Sequence, residues 1–141
     1  MALVDVKAVH HIGVAVRSIE AHGQYYTDVL GAEFEGEEVV ADQKTKVAFF
    51  RVGAIRFELL EPTDASSPIA AFLEKRGEGL HHVALEVNDL DARVAALKDR
   101  GFRMIDDRPR RGARGLRIAF AHPKSTFGVL TEFCEPPAEE R

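Results

Sequence analysis

The chain has 141 residues, a formal net charge of −4 and 45% hydrophobic residues, which is ordinary for one globular domain. The acidic balance argues against a nucleic-acid-binding protein, since such proteins are usually basic. No apolar run reaches the roughly 18 residues that span a membrane, and the N-terminus lacks the pattern of a signal peptide. The single cysteine, Cys134, excludes an internal disulfide and a cysteine-rich zinc site. We therefore expect a cytoplasmic protein without nucleic-acid or membrane partners.

The first half of the chain predicts the order β-α-β-β-β. Alternating apolar residues over Val9–Val16 indicate a strand, and Ser18 can cap a helix that continues to about Leu30, before Gly31. The helix residues expected to face inward are Ile19, Tyr26 and Val29. Three further strands are predicted at Glu33–Val40, Lys46–Val52 and Ile55–Glu61, the last of them stopped by Pro62.

The second half repeats this order after a polar linker, Thr63–Ser67, and a short helix, Ile69–Arg76, begun by Pro68. Asp89 can cap the next helix, which Gly101 ends. Its predicted inward residues are Leu90, Val94 and Leu97. The predicted strands are His81–Val87, Phe102–Asp106, Leu116–Ala121 and Gly128–Glu135, with a basic, glycine-containing loop at Arg108–Gly115.

The two halves also match in detail, which favours a duplicated module. Val47-Ala-Phe49 corresponds to Ile118-Ala-Phe120 at a constant offset. Antiparallel hairpins with one helix per copy predict an α+β fold with helices on one face of the sheet. We predict a single domain, 1–141, of two tandem βαβββ modules (about 9–62 and 80–136, joined by 63–79). Their strands would form a curved, half-open, eight-stranded barrel-like sheet around a metal site, with helices on the convex side.

Each half carries one histidine and one glutamate at matching places inside apolar strands. The histidines, His11 and His82, lie 71 positions apart, and the glutamates, Glu58 and Glu132, lie 74 apart. A bare charge among apolar residues is costly, so a repeated fold alone does not account for these residues. Two imidazoles and two carboxylates suit Co²⁺, Mn²⁺, Ni²⁺, Fe²⁺ or Zn²⁺, and an octahedral ion would keep two positions for substrate. The pattern predicts one divalent-metal site with these four ligands.

Other polar residues have simpler interpretations. We expect His10 and His81 to be packing or surface residues, and His22 and His122 to lie on a helix surface and in a loop. Glu61 and Glu135 end their strands beside proline and are expected to be solvated. Cys134 is expected to be a small apolar residue.

Several segments resemble the vicinal-oxygen-chelate (glyoxalase/bleomycin resistance/dioxygenase) superfamily, and within it the methylmalonyl-CoA epimerases. The segments that carry the resemblance are His10-His-Ile-Gly-Val-Ala-Val16, Tyr25–Gly31, Glu58-Leu-Leu-Glu-Pro62, Ser67–Leu73, Gly77-Glu-Gly-Leu-His-His82 and His122-Pro-Lys-Ser-Thr126 followed by Gly128-Val-Leu130. Together they cover nearly the whole chain. The first two are shared across the superfamily, whereas Gly77–His82 and His122–Leu130 together are more specific to the epimerases.

The resemblance implies an isomerase that moves a proton at C2 of (R)- and (S)-methylmalonyl-CoA through a metal-stabilised enolate. It implies the same four ligands, Co²⁺ as the first choice of metal, and a homodimer. A coenzyme A substrate needs basic contacts for its phosphates, which Lys124, Arg110, Arg111 and Arg114 could supply. We predict Lys124, Ser125 and Arg114 as the substrate-binding residues.

This chain matches that family less well at the residues that would transfer the proton. Glu132 is one candidate, because it is a ligand beside the expected substrate. Some epimerases carry a glutamate on the strand that matches Lys46–Phe50, where this chain has no carboxylate. Asp42, just upstream, is the nearest acid and the second candidate.

Two other functions remain open from the sequence. A glyoxalase I-type lyase acting on a glutathione hemithioacetal would use the same four ligands. A non-enzymatic protein that sequesters drugs would need no metal and would favour an aromatic cleft.

Overall fold

A computed structural model describes residues 2–140, and these fall into two compact units. One unit is His11–His81. The other combines the residues up to His10 with those from His82 onward. No helix within 2–140 is long and apolar enough to cross a membrane.

The His11–His81 unit is built on four strands in the order β2-β3-β4-β1. The first and last strands of the module pair in parallel, and the other neighbours pair antiparallel. The elements are β1 (Ala8–Ala15), α1 (Ile19–Gln24), a π-helical turn (Tyr25–Val29), β2 (Glu33–Val40), β3 (Thr45–Val52), β4 (Ile55–Pro62) and α2 (Pro68–Arg76). This confirms the predicted β-α-β-β-β order and the short helix after Ser67.

The other unit has the equivalent strand order, β5-β8-β7-β6, again with a parallel pair between the first and last strands. Its elements are β5 (Gly79–Glu86), α3 (Leu90–Asp99), β6 (Arg110–Arg111), β7 (Arg117–Ala121) and β8 (Thr131–Glu135). The α+β class and the two tandem modules are therefore confirmed.

The prediction of a strand over Phe102–Asp106 was wrong. Only Met104 forms a bridge, to Ala121, and the short strand β6 lies instead in the segment predicted to be a loop. The ladder is interrupted because the N–H groups of Ile105 and Asp106 both donate to the carbonyl of Phe120. The Asp106 carboxylate also accepts the Phe120 N–H at 2.8 Å, so a side chain replaces the next backbone bond.

Alternation along the strands separates a helix-packing face from a second face in each unit. Val14 of β1 and Val16, just after that strand, pack with Ile19 and Tyr26. Leu85 of β5 and Val87, just after it, pack with Leu90, Val94 and Leu97. His11 and His82 lie on the opposite faces of the same strands, as predicted. The expectation for Val29 was wrong: it is 70% exposed, because the last turn of its helix is π-helical and does not continue the α-helical spacing.

The second repeated glutamate of each module was predicted to be solvated, and the structure corrects this. Glu135 is 5% exposed, and its carboxylate accepts hydrogen bonds from the N–H groups of Asp89 (2.8 Å) and Leu90 (3.4 Å). Glu61 likewise accepts from the N–H of Ile19 at 2.8 Å. Both carboxylates thus satisfy the free amides at the start of a module helix, where negative charge is favoured.

The Asp89 side chain was predicted to cap α3, but it makes no capping bond. Its backbone is left-handed (φ 52°), and Glu135 accepts the amides instead. Ser18 does cap α1 as predicted, since its Oγ accepts the Ala21 N–H at 3.1 Å.

We predict that Glu135→Ala lowers the free energy of unfolding by about 1–3 kcal/mol, because it removes the acceptor of the Asp89 amide and of the buried Leu90 amide at the start of α3. Urea unfolding monitored by circular dichroism would measure the loss. Glu139→Ala in the exposed tail is the control and should stay within about 0.5 kcal/mol of the parent. Equal stabilities of the two variants would contradict a capping role for Glu135.

Candidate metal centre

His11 and Glu58 form a buried pair within the His11–His81 unit. His11 is 2% exposed and Glu58 is 5% exposed, and the distance from His11 Nδ1 to Glu58 Oε2 is 3.2 Å. The parallel register of β1 and β4 places Gly13, two residues after the histidine, directly opposite Glu58. A residue without a side chain therefore sits beside the carboxylate and leaves space on that face.

His82 and Glu132 form the matching pair in the other unit. They are 6% and 4% exposed, and His82 Nε2 lies 3.8 Å from Glu132 Oε2. The register of β5 and β8 places Ala84, again two residues after the histidine, opposite Glu132. The two modules thus repeat the strand register as well as the residue types, although Nδ1 faces the carboxylate in His11 and Nε2 does so in His82.

An aromatic residue lies opposite each glutamate on the neighbouring antiparallel strand. Phe49 is in register with Glu58, and Phe120 is in register with Glu132. The ring of Phe120 packs edge-on against His82, with centroids 5.2 Å apart, and Arg110 lies over Phe120 at 5.9 Å. In the sequence these phenylalanines align the two repeats, but nothing else there marks them as neighbours of the site. The constant offset between them was the available signal.

The donor geometry of each pair suits a shared divalent ion. Two donors that each bind an ion at about 2.0–2.2 Å lie about 2.8–3.6 Å from one another. The 3.2 Å separation of the first pair falls in this range, and the 3.8 Å separation of the second requires only a small side-chain rotation. Buried imidazole and carboxylate donors without thiolate also fit the first-row divalent ions named above.

The predicted substrate-binding residues lie in two turns of the same unit. Lys124 is exposed, and Ser125 is half-buried with its Oγ accepting the Arg103 N–H at 2.9 Å. Arg114 is exposed in a turn with a left-handed backbone (φ 57°). The predicted second proton-transfer group, Asp42, lies in the other unit, exposed on the turn between β2 and β3.

Three further histidines and the cysteine have local roles. His81 packs edge-on against Phe72, and His22 contacts Glu78 through Nε2 at 3.2 Å. The Nδ1 of His122 accepts the Lys124 N–H at 3.0 Å. Burial, together with the charges of Arg103 and Lys124, holds the pKa of His122 below its ordinary value. Cys134 is buried in an apolar cluster, as expected for a small apolar residue.

We predict that chelator-treated protein binds Co²⁺ and that His82→Ala weakens this binding at least ~100-fold, since loss of a mere outer-sphere partner already costs ~10–100-fold. Isothermal titration calorimetry would measure the affinity. The control is His122→Ala, which removes a histidine outside the two pairs.

At a metal concentration of 100 times Kd, the parent should be stabilised by about 2.7 kcal/mol, a rise in Tm of about 5–11 °C. Equal melting in chelator and in excess Co²⁺ would exclude a native metal site.

Comparisons with known proteins identify the family of this chain. The model of the Glyoxalase/Bleomycin resistance protein/Dioxygenase superfamily matches residues 10–120. The Bacillus subtilis uncharacterized protein YqjC is 48% identical over 92% of this chain and 93% of its own. The ethylmalonyl-CoA/methylmalonyl-CoA epimerase of Cereibacter sphaeroides is 38% identical over 87% of this chain and 93% of its own.

A solved structure adds a likeness in three dimensions. A variant of the Streptomyces coelicolor methylmalonyl-CoA epimerase, in complex with 2-nitronate-propionyl-CoA, superposes with a TM-score of 0.90 at 38% identity, covering 95% of this chain and 97% of the other. The family match spans most of the chain and includes both histidine strands. The chain is a member of the glyoxalase/bleomycin resistance/dioxygenase superfamily.

Proposed function

We propose that this protein is a methylmalonyl-CoA epimerase, which interconverts the R and S forms of its substrate by moving the proton at C2. The observation that carries the proposal is the pair of equivalent, buried histidine–glutamate contacts, one in each module. The names of the Cereibacter relative and of the Streptomyces structure support the choice of a malonyl thioester as substrate.

The proposal treats His11, Glu58, His82 and Glu132 as one ligand set for a single divalent ion. Burying two carboxylates is unfavourable unless cations or hydrogen-bond donors compensate for them. A divalent ion held by both pairs would neutralise the two carboxylate charges, and the two neutral imidazoles would be its other protein ligands. Co²⁺ is the proposed metal, with Mn²⁺, Ni²⁺ and Zn²⁺ as alternatives.

The substrate chemistry suits this ligand set. The C2 hydrogen of methylmalonyl-CoA lies between a thioester and a carboxylate, and both groups offer an oxygen to a metal. When bound, the ion would supply Lewis-acid stabilisation of the charge that develops on the thioester oxygen, worth several kcal/mol. The protein must then provide groups that remove the proton and return it from the other side.

Glu132 is the proposed proton-transfer group on one side, and Asp42 is the proposed group on the other. Strand β3 offers no carboxylate toward the face that carries Glu58: the residues in register there are Val47 and Phe49, both buried. Asp42 belongs to the turn that leads into this strand and is exposed, so a bound substrate could reach it. Each positioned acid or base typically contributes ~10²–10⁴-fold to the rate.

The coenzyme A part of the substrate is proposed to contact Lys124, Ser125 and Arg114. The Oγ of Ser125 accepts a backbone N–H, which leaves its own hydrogen for donation to the substrate. Lys124 and Arg114 are exposed cations that suit phosphate groups. A homodimer is proposed from the family resemblance, and a cytoplasmic location from the single, buried Cys134.

The decisive measurement is exchange of the C2 hydrogen of methylmalonyl-CoA in deuterated water. The metal-loaded protein should incorporate deuterium and racemise the substrate, and a chelator should abolish both, because the charge that develops on the thioester loses its Lewis acid. Glu132→Gln should also abolish both, whereas Glu139→Gln in the exposed tail should not.

Turnover of a glutathione hemithioacetal without exchange of methylmalonyl-CoA would identify a glyoxalase-type lyase instead. Retention of small drugs without turnover of either substrate would identify a binding protein.

Asp42 has its own test. Asp42→Asn should lower kcat by at least ~10²-fold while the metal affinity stays that of the parent, since an amide cannot take up the proton. Asp28→Asn, an acid at the end of the first helix, is the matched control. Unaltered turnover by Asp42→Asn would remove this residue from the mechanism.

A further inference from the structure

The segment Pro123–Val129, here called the Phe127 loop, is held in one conformation by its own hydrogen bonds. The N–H groups of Thr126 and Gly128 donate to the Pro123 carbonyl at 3.1 and 2.8 Å, and Val129 donates to Thr126. The Thr126 hydroxyl also bonds to the Val129 carbonyl. The loop therefore presents the residue at its tip, Phe127, in a defined direction.

Phe127 combines two features that do not favour folding. Its ring is 99% exposed, so it buries no apolar surface within the chain. Its backbone is left-handed (φ 58°), a conformation that is uncommon for residues other than glycine and disfavoured for a bulky side chain. The other non-glycine residues with positive φ within 2–140 are all polar: Asp5, Lys44, Asp89 and Arg114. A strained and fully exposed aromatic ring points to a role outside the protein's own core.

Two cations flank the base of this loop. Lys124 belongs to the loop itself, and the N–H of Arg103 donates to the Oγ of Ser125. Both side chains are exposed, and neither forms an ion pair with a residue in the described range 2–140. Both charges also act on the ring of His122, at the start of the loop. The aromatic ring is thus accompanied by two positive charges that form no ion pair with an acidic side chain among residues 2–140.

The loop is also tied to the candidate metal centre through the chain. Phe127 precedes Glu132 by five positions, and five residues span at most ~17 Å even when fully extended. The Cα atoms of the two residues therefore lie at most ~17 Å apart, so a substrate whose reacting carbon lies beside Glu132 can reach Phe127 with an arm of this order of length. Acyl-CoA has this design, with a long pantetheine arm between the thioester and an adenine nucleotide.

We propose that Phe127 stacks on the adenine ring of the acyl-CoA substrate, while Lys124 and Arg103 contact its phosphates. This inference rests on the proposed function and adds a nucleotide-recognition site to it. Stacking of a base on an aromatic side chain needs a rigid ring with an exposed face, and phosphates need nearby cations. The Phe127 loop provides both.

The test compares methylmalonyl-CoA with methylmalonyl-pantetheine, which has the same thioester but no nucleotide. The ratio of interest is kcat/KM for methylmalonyl-CoA divided by kcat/KM for methylmalonyl-pantetheine. We expect Phe127→Gly to lower this ratio about tenfold, through KM rather than kcat, because the stacking contact with the base is lost. Phe127→Tyr should keep the ratio near that of the parent, since it retains the ring. Lys124→Ala should lower the ratio and make it less sensitive to salt.

Controls separate stacking from folding and from self-association. Asp5→Gly also relieves a left-handed residue, but at an exposed site without a ring, and should keep the parent ratio. Phe127→Gly should melt no lower than the parent, because glycine favours this φ. An unaltered ratio in Phe127→Gly overturns the inference. If the sedimentation of Phe127→Gly shifts as well, the loop is instead a contact between copies of the chain.

A binding experiment distinguishes failure of this inference from failure of the proposed function. Adenosine 3′,5′-bisphosphate, the nucleotide portion of coenzyme A, should bind the parent more tightly than Phe127→Gly. If the parent turns over neither thioester, the proposed function is wrong, whereas equal affinity of the parent and Phe127→Gly for the nucleotide overturns the stacking site.

Discussion

The burial of a carboxylate against an imidazole in each module is the constraint on which this architecture depends. Removing a carboxylate from water costs several kcal/mol unless partners compensate, and Glu58 and Glu132 are both almost fully buried. The sheet accommodates them by pairing the histidine strand with the glutamate strand in parallel and by placing Gly13 or Ala84 opposite the carboxylate. The aliphatic residues of the same strands pack on the other face, against the helix, so the polar pair does not disturb the core.

The motif Glu-x-x-Glu-Pro shows how one short segment serves two purposes. Residues three apart on a strand point to opposite faces. The first glutamate of each motif therefore contacts its histidine, while the second turns to the helix face and accepts amides at the helix start. The same strand thus positions both the glutamate that contacts the histidine and the helix that packs behind it. The duplicated motif therefore has two structural uses in each module.

The sequence predicted best what depends on strand alternation and on the repeat. The faces of His11 and His82, the inward residues of α3 and the order of elements all follow from local periodicity. Apart from Val29, whose exposure follows from a local π-helical turn, the errors arose where a distant group decided the outcome. Glu135 replaced Asp89 as the acceptor at α3 because the end of β8 reaches that helix. Asp106 interrupted a predicted strand by accepting an amide from β7, and such a contact between segments 14 positions apart leaves no periodic signal.

The parallel pairing of the first and last strands has a consequence for the order in which the protein is made. In each module the histidine is synthesised early and its glutamate partner late, with the helix and two strands between them. The pair can form only after that whole segment has left the ribosome and closed on itself, a non-local step that is intrinsically slow. A nascent chain therefore carries an unmatched histidine until each module is complete, and the proposed metal site would form at the end of folding rather than at its beginning.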